Sequence, residues 1–144
     1  MAAGLNAPIY TTEILHLAAS LPPPAPLDRE DGVAELRSPT CGSTIRTVVM
    51  VDPEGRVEAL AQQVSACAFG QASAAILAHH GIGRDRAELA TALGELNSWL
   101  SGDRADPGSW HGLQALAPAR SKRGRHGAIL LPFRALAAAL DAAR

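Results

Sequence analysis

The stretch Ser38-Pro39-Thr40-Cys41-Gly42-Ser43-Thr44-Ile45-Arg46-Thr47-Val48-Val49-Met50-Val51-Asp52-Pro53-Glu54-Gly55 decides how the rest of the chain is read. Thr44 to Val51 is mostly β-branched, the composition that suits a pleated, half-buried surface. Asp52-Pro53-Glu54-Gly55 then turns the chain, because proline presets φ and glycine is free to take positive φ. Arg56 to Ser65 reads as the return strand, with Val57, Ala59 and Ala61 on one face and Leu60 and Val64 on the other. Val33 to Ser38 reads as a strand ahead of them, so three antiparallel strands are expected. This hairpin brings the chain's two cysteines, Cys41 and Cys67, to the same end of a small sheet.

Cys67 stands directly before a helix pattern running from Ala68 to His80 and closed by Gly81. A helix N-terminus offers free amides and a favourable dipole, which together favour a thiolate. Small side chains at the start of that helix would let backbone approach whatever Cys67 holds. Further on, Asp85-Arg86-Ala87-Glu88 has capping-box spacing and leads an amphipathic helix carrying Leu89, Ala92, Leu93, Leu96 and Leu100. Gly102 to Gly108 reads as a polar loop and Trp110 to Leu116 as a short helical segment with Leu113 and Leu116 inward. Ala119 to Gly127 is a basic loop holding Arg120, Lys122, Arg123, Arg125 and His126: either a solvated surface or a contact for an anion or protein. Ile129 to Ala143 closes the chain as an apolar helix. Pro132 is tolerable in its first turn but would kink a helix that starts much earlier.

Upstream, Thr11 or Thr12 caps a short helix with Ile14, Leu17, Ala18 and Leu21 on its apolar stripe. Leu21-Pro22-Pro23-Pro24-Ala25-Pro26 ends it as a stiff connector. The 144 residues are 47% hydrophobic and 19% charged, which suits one domain spanning 1–144, with 1–8 disordered. A net charge of −1 gives no global reason to expect nucleic acid or an anionic membrane as partner. No apolar run reaches the roughly 20 residues of a membrane span. The start lacks the basic and apolar blocks of a signal peptide, so the expected setting is the cytoplasm, with reduced thiols.

At this point the pattern resembles a known family, the U-type iron–sulfur cluster assembly scaffolds (NifU N-terminal, IscU and SufU-like). The family's Pro-Thr-Cys-Gly-Asp stands here as Pro39-Thr40-Cys41-Gly42-Ser43. Its second cysteine follows a hairpin at the same spacing, here as Ala66-Cys67 before the small residues Ala68 to Ala75. Tyr10-Thr11-Thr12-Glu13-Ile14-Leu15-His16 is similar to the family's opening helix, and the long Gly102 to Ala119 segment looks like the SufU branch. The resemblance covers about residues 8–142. It implies an α+β fold, a three-stranded antiparallel sheet packed against about five helices, the SufE/NifU-like scaffold fold. It also implies a non-enzymatic role: binding iron or an Fe–S cluster (2Fe–2S), with zinc as the alternative. The implied partners are a cysteine desulfurase as sulfur donor and apo iron–sulfur proteins as recipients, with the scaffold a monomer or weak homodimer.

Two departures bear on that site. The family's metal-site aspartate is Ser43, a poor ligand at neutral pH, and its third cysteine is replaced at about Gly127 or Ala128. The ligand set that remains is Cys41, Cys67 and the neighbouring His126, with Ser43 the weakest member. The chaperone-recognition segment appears only as Leu116-Ala117-Pro118-Ala119-Arg120, which puts docking of that chaperone in doubt. Each candidate has a plainer reading: free cysteine is often a buried apolar side chain, and a histidine in a basic loop is usually solvated. His79 and His80 read as helix C-terminal residues where imidazolium is favoured. His16 reads as packing or capping, and Trp99 and Trp110 as packing residues with partial exposure. Two other functions compete: a degenerate paralogue acting as a protein-binding or regulatory module, and a Cys–His thiol enzyme, which would need an orienting group and oxyanion site not evident here.

Overall fold

The run Thr44–Val51 forms the central strand, β2, of a three-stranded antiparallel sheet in the order β1-β2-β3, with β1 at Gly32–Arg37 and β3 at Val57–Ser65. This computed structural model describes residues 10–39 and 42–143; the expected disorder at 1–8 and the positions Thr40 and Cys41 lie outside the described residues. Four α-helices complete the described part: α1 (Thr12–Ala19), α2 (Ala68–His80), α3 (Arg86–Leu100) and α4 (Arg123–Ala142). A 3₁₀ helix spans Leu113–Ala119. The architecture is α+β, as expected.

The pleat sorts β2 into two faces. Ile45, Val49 and Val51 join Ala34 and Leu36 of β1 against the helices, while Arg46, Val48 and Met50 line the outer face. Pro24, Pro26 and Leu27 border a groove over Val48 and Ala61, so the proline connector shields part of that outer face. The main core gathers Phe69, Ile76 and Leu77 of α2, Leu89, Leu96 and Trp99 of α3, and Phe133, Leu136 and Leu140 of α4. A satellite cluster of Ile45, Leu131 and Ala135, with Leu36 and Val64 against it, fills the other end of the sheet.

Several expectations need correction. β1 lies one residue earlier than expected, β3 starts one residue later and ends at Ser65 as expected, and the predicted faces of β3 are wrong at Val57. Met50 pairs with Ala59 and Val51 with Val57, so Glu58 is an extra residue in the ladder. That bulge moves Val57 into the core that Leu60 also meets. Trp99 and Trp110 are fully packed, at 0% and 3% exposure, rather than partly exposed. His16 is exposed. Gly81 ends α2 without a left-handed cap (φ −84°); it is Gly83 that takes positive φ.

The largest correction concerns α4, which starts six residues before the predicted Ile129. Pro132 therefore lies in its interior, where it supplies no N–H to the carbonyl of Ala128. Tertiary packing offsets that loss. Ser73 Oγ of α2 donates to Ile129 O at 2.6 Å in the buried α2–α4 seam, and Phe133, one residue past the proline, is 0% exposed. Its ring stands edge-on to Trp110 at 5.2 Å.

Candidate functional site

Register carries the two cysteine positions together. Thr44, at the start of β2, pairs with Arg37 on one side and Ser65 on the other. The loop containing position 41 and the segment leading to Cys67 thus leave neighbouring strand ends at one end of the sheet. Cys41 lies outside the described residues, but the loop's ends are well defined. Ser38 N–H donates to Ser43 O at 2.8 Å, and Gly42 N–H donates to Ser38 O at 3.0 Å. Gly42 has φ +72°, a left-handed conformation that glycine adopts without steric cost. That is the physical content of the Cys-Gly pair in the motif.

Cys67 is the N-cap residue of α2, with extended backbone (φ −67°, ψ 173°). Its side chain makes no capping hydrogen bond, and it is a free thiol, half-buried against the main core. Gln71 steadies this corner: its N–H donates to Cys67 O, and its Nε2 donates to Ala66 O, both at 3.0 Å. Ser43, the residue in place of the aspartate, is 5% exposed.

Of the two residues at about the place of the family's third cysteine, Gly127 is partly buried and Ala128 is closed by packing. Ala128 is 1% exposed. It meets the first turn of α2, where a Cβ on Gly70 would stand 3.3 Å from both the methyl and the carbonyl oxygen of Ala128. The same Cβ would be 2.7 Å from the methyl of Ala66. The Ala128 carbonyl is the one that Pro132 deprives of its helical donor, and it settles against the bare Cα of Gly70. Periodicity gives no sign of this contact; only the tertiary packing of α4 on α2 brings it about.

His126 was expected in a loop but sits in the first turn of α4. Its Nε2 lies 3.0 Å from both Ala119 O and Arg120 O, so this nitrogen carries the proton and donates to the carbonyls. Two residues on a helix differ by about 200°, so His126 faces nearly opposite to Ala128 and the α2 contact. It ties the end of the 3₁₀ helix to α4. Among the described residues, no three His, Cys, Asp or Glu side chains are grouped so as to hold a metal. Zinc and iron–sulfur sites usually take four ligands, and Cys41 lies outside the residues so described.

A separate histidine group sits at the far end of α2. His80 and His111 rings lie 4.8 Å apart, with His79 beside His80 and Ser20 Oγ 3.4 Å from His79 Nε2. Burial holds the His80 imidazole below the usual histidine range, and the neighbouring His111, His79 and Arg84 push the same way. The helix-terminal preference for imidazolium is outweighed there. The role of His111 was not visible in the sequence, because 31 residues separate it from His80.

No family model and no curated protein that was compared matches the chain. Solved structures do. A nitrogen-fixing NifU-like protein (N-terminal) from Brucella abortus is 31% identical, with a TM-score of 0.86 over 93% of each chain. An iron–sulfur cluster assembly scaffold protein for the SUF system from Fervidobacterium islandicum AW-1 is 20% identical, with a TM-score of 0.75 over 92% of this chain and 96% of that one, and supports the fold. With that identity and coverage, the chain belongs to the NifU-like N-terminal family of U-type scaffolds.

Proposed function

We propose that this chain is a non-enzymatic iron–sulfur assembly scaffold, a single domain whose working groups are the thiols of Cys41 and Cys67. They receive sulfur from a cysteine desulfurase and hold iron, or a nascent 2Fe–2S cluster, as cargo for apo iron–sulfur proteins. The observation that carries this reading is the 31% identity with a NifU-like protein over 93% of both chains. The register that sends the two cysteine positions to one sheet end supports it. His126, whose Nδ1 keeps its lone pair while Nε2 donates, and Ser43 are the further candidate ligands, and any coordination position they leave open falls to solvent, an added thiol or a partner. The cargo is therefore held loosely, and zinc, which needs fewer sulfurs, competes for it. The setting is a reducing cytoplasm, with the chain a monomer or weak homodimer; no described helix is long and apolar enough to cross a membrane.

Anaerobic reconstitution with iron and sulfide tests this directly. The wild-type chain should turn brown and carry iron, and Cys41→Ser with Cys67→Ser should lose nearly all of it. Equal iron in both would sink the idea. One observation favours a second reading, a protein-binding module without cluster chemistry: the buried Ala128–Gly70 contact where the third cysteine would stand. Recovery of a desulfurase that is unchanged by removing both cysteines, with no bound metal, would select it.

A further inference from the structure

Charge is spread unevenly along this chain. Residues 107–140 hold five of its 13 Lys and Arg and none of its 14 Asp and Glu. Four of the five, Arg120, Lys122, Arg123 and Arg125, crowd the start of α4. Elsewhere Arg29, Arg46, Arg56, Arg84, Arg86 and Arg104 each have a carboxylate partner. Among the described residues, no ion pair reaches Lys122, Arg123 or Arg125, which are exposed or partly so.

This placement works against the helix. Lys122 occupies the N-cap position without a side-chain capping bond, and no acidic residue stands in the first turn. Cations at the positive end of a helix dipole are unfavourable, and nothing described on this chain offsets them. The arrangement calls for negative charge from outside.

The neighbouring side chains narrow what that is. A cavity of about 700 Å³ opens between Leu100–Gly102 and the first turn of α4. Two of its lining donors, Arg120 and His126, are already used. Arg120 donates from Nε to Trp99 O and from Nη2 to Arg104 O, each at 3.0 Å, and stacks over Trp99. His126 donates to the carbonyls of Ala119 and Arg120. Asp103, just past the rim, accepts from Ser101 Oγ. A small anion would find few donors inside, so the unpaired cations face a larger surface. Nucleic acid fits poorly as well: Phe69, Trp99, Trp110 and Phe133 are buried and offer no stacking platform. The rest of the chain carries 14 acids against eight Lys and Arg, which would repel a continuing phosphate backbone.

We propose that the start of α4 is a docking surface for an acidic segment of a partner protein, whose carboxylates pair with Lys122, Arg123 and Arg125. The surface borders the cysteine end of the molecule. Arg125 precedes Leu131, which packs on Ile45 near the start of β2, by six residues, or about 9 Å along the helix. Docking there does not depend on the thiol chemistry.

Fluorescence anisotropy with a labelled decaglutamate peptide and the full chain tests the proposal. The charge reversal Lys122→Glu, Arg123→Glu, Arg125→Glu should weaken binding by about tenfold or more. Its melting temperature should hold or rise, since acids suit a helix N-terminus. Arg86→Gln, at an ion-paired arginine, should leave binding as it was. Should the reversal variant melt lower than wild type, the triple glutamine variant takes its place with the same expected loss. Binding retained within about twofold by these variants overturns the proposal. So does tighter binding of a single-stranded oligonucleotide of equal charge, or displacement of the peptide by millimolar inorganic phosphate.

Discussion

Two helix starts meet at the cysteine end of the sheet, and they are built in opposite ways. α2 begins with a half-buried thiol that makes no capping bond, on a backbone corner pinned by Gln71. α4 reaches the same place six residues into its length and presents a methyl group, closed against Gly70 and Ala66. The first leaves a side chain free to do chemistry. The second devotes its position to packing, which the hydrogen bond from Ser73 to Ile129 O holds in place. The difference teaches that the geometry of a U-type scaffold persists here on packing alone, without the ligand that the family has at that contact.

The sharpest way to break the comparison is to force the closed side open. Gly70→Val places branched carbons where even a Cβ stands 2.7 Å from Ala66, and should cost about 3 kcal/mol in chemical denaturation. A cost below about 1 kcal/mol would mean that the seam is loose. Ser73→Ala removes the buried hydroxyl donor to Ile129 O and should cost about 1–2 kcal/mol. The loss should appear in the unfolding midpoint with an unchanged denaturant slope.

Ala128→Cys instead tests whether the closed side can be made chemical. It adds one atom to a tight contact, for about 1 kcal/mol of lost stability. After anaerobic reconstitution the variant should retain more iron than wild type through gel filtration. Unchanged retention would show that the missing thiol is not what limits this site.

The smallest expected effect is a pH dependence at the opposite end of α2. The folded-state pKa of His80 lies below its unfolded value of about 6.5, so the unfolded chain binds the extra proton. Stability is then undiminished above about pH 6.5 and falls as pH drops toward the folded value. Asp31, Asp52 and Asp106 have lowered pKa values from the backbone N–H of Val51, the backbone N–H of Arg56 and the Arg104 side chain, respectively. Their stabilisation is present above about pH 3.9 and is lost only as pH falls further. The melting temperature should thus fall slightly between about pH 7.5 and 5.5, and His80→Gln should remove most of that fall. A His80→Gln profile identical to wild type would assign the effect elsewhere.

Much of the molecule could be read from local pattern. The β-branched run of β2, the Asp52–Gly55 turn and the capping box at Asp85 are encoded within a few residues, and the structure has all three. Placing the cysteine positions at one sheet end required only strand order and register. The errors lie where distant segments decide. Pro132 argued for a late start to α4, and tertiary burial around it, at Ala128, Ile129 and Phe133, overrode that. His126 was misjudged with that boundary, because its carbonyl partners come from the end of the 3₁₀ helix.

By itself, then, the sequence determined the hairpin, the helix that Cys67 begins, and the family pattern linking them, because these follow from short-range propensity and spacing. Tertiary structure alone decided what stands beside Cys67. A bare glycine at 70 and the methyl groups of Ala66 and Ala128 pack together at the first turn of α2. Their approach depends on close packing between residues 58 positions apart, which no periodicity records.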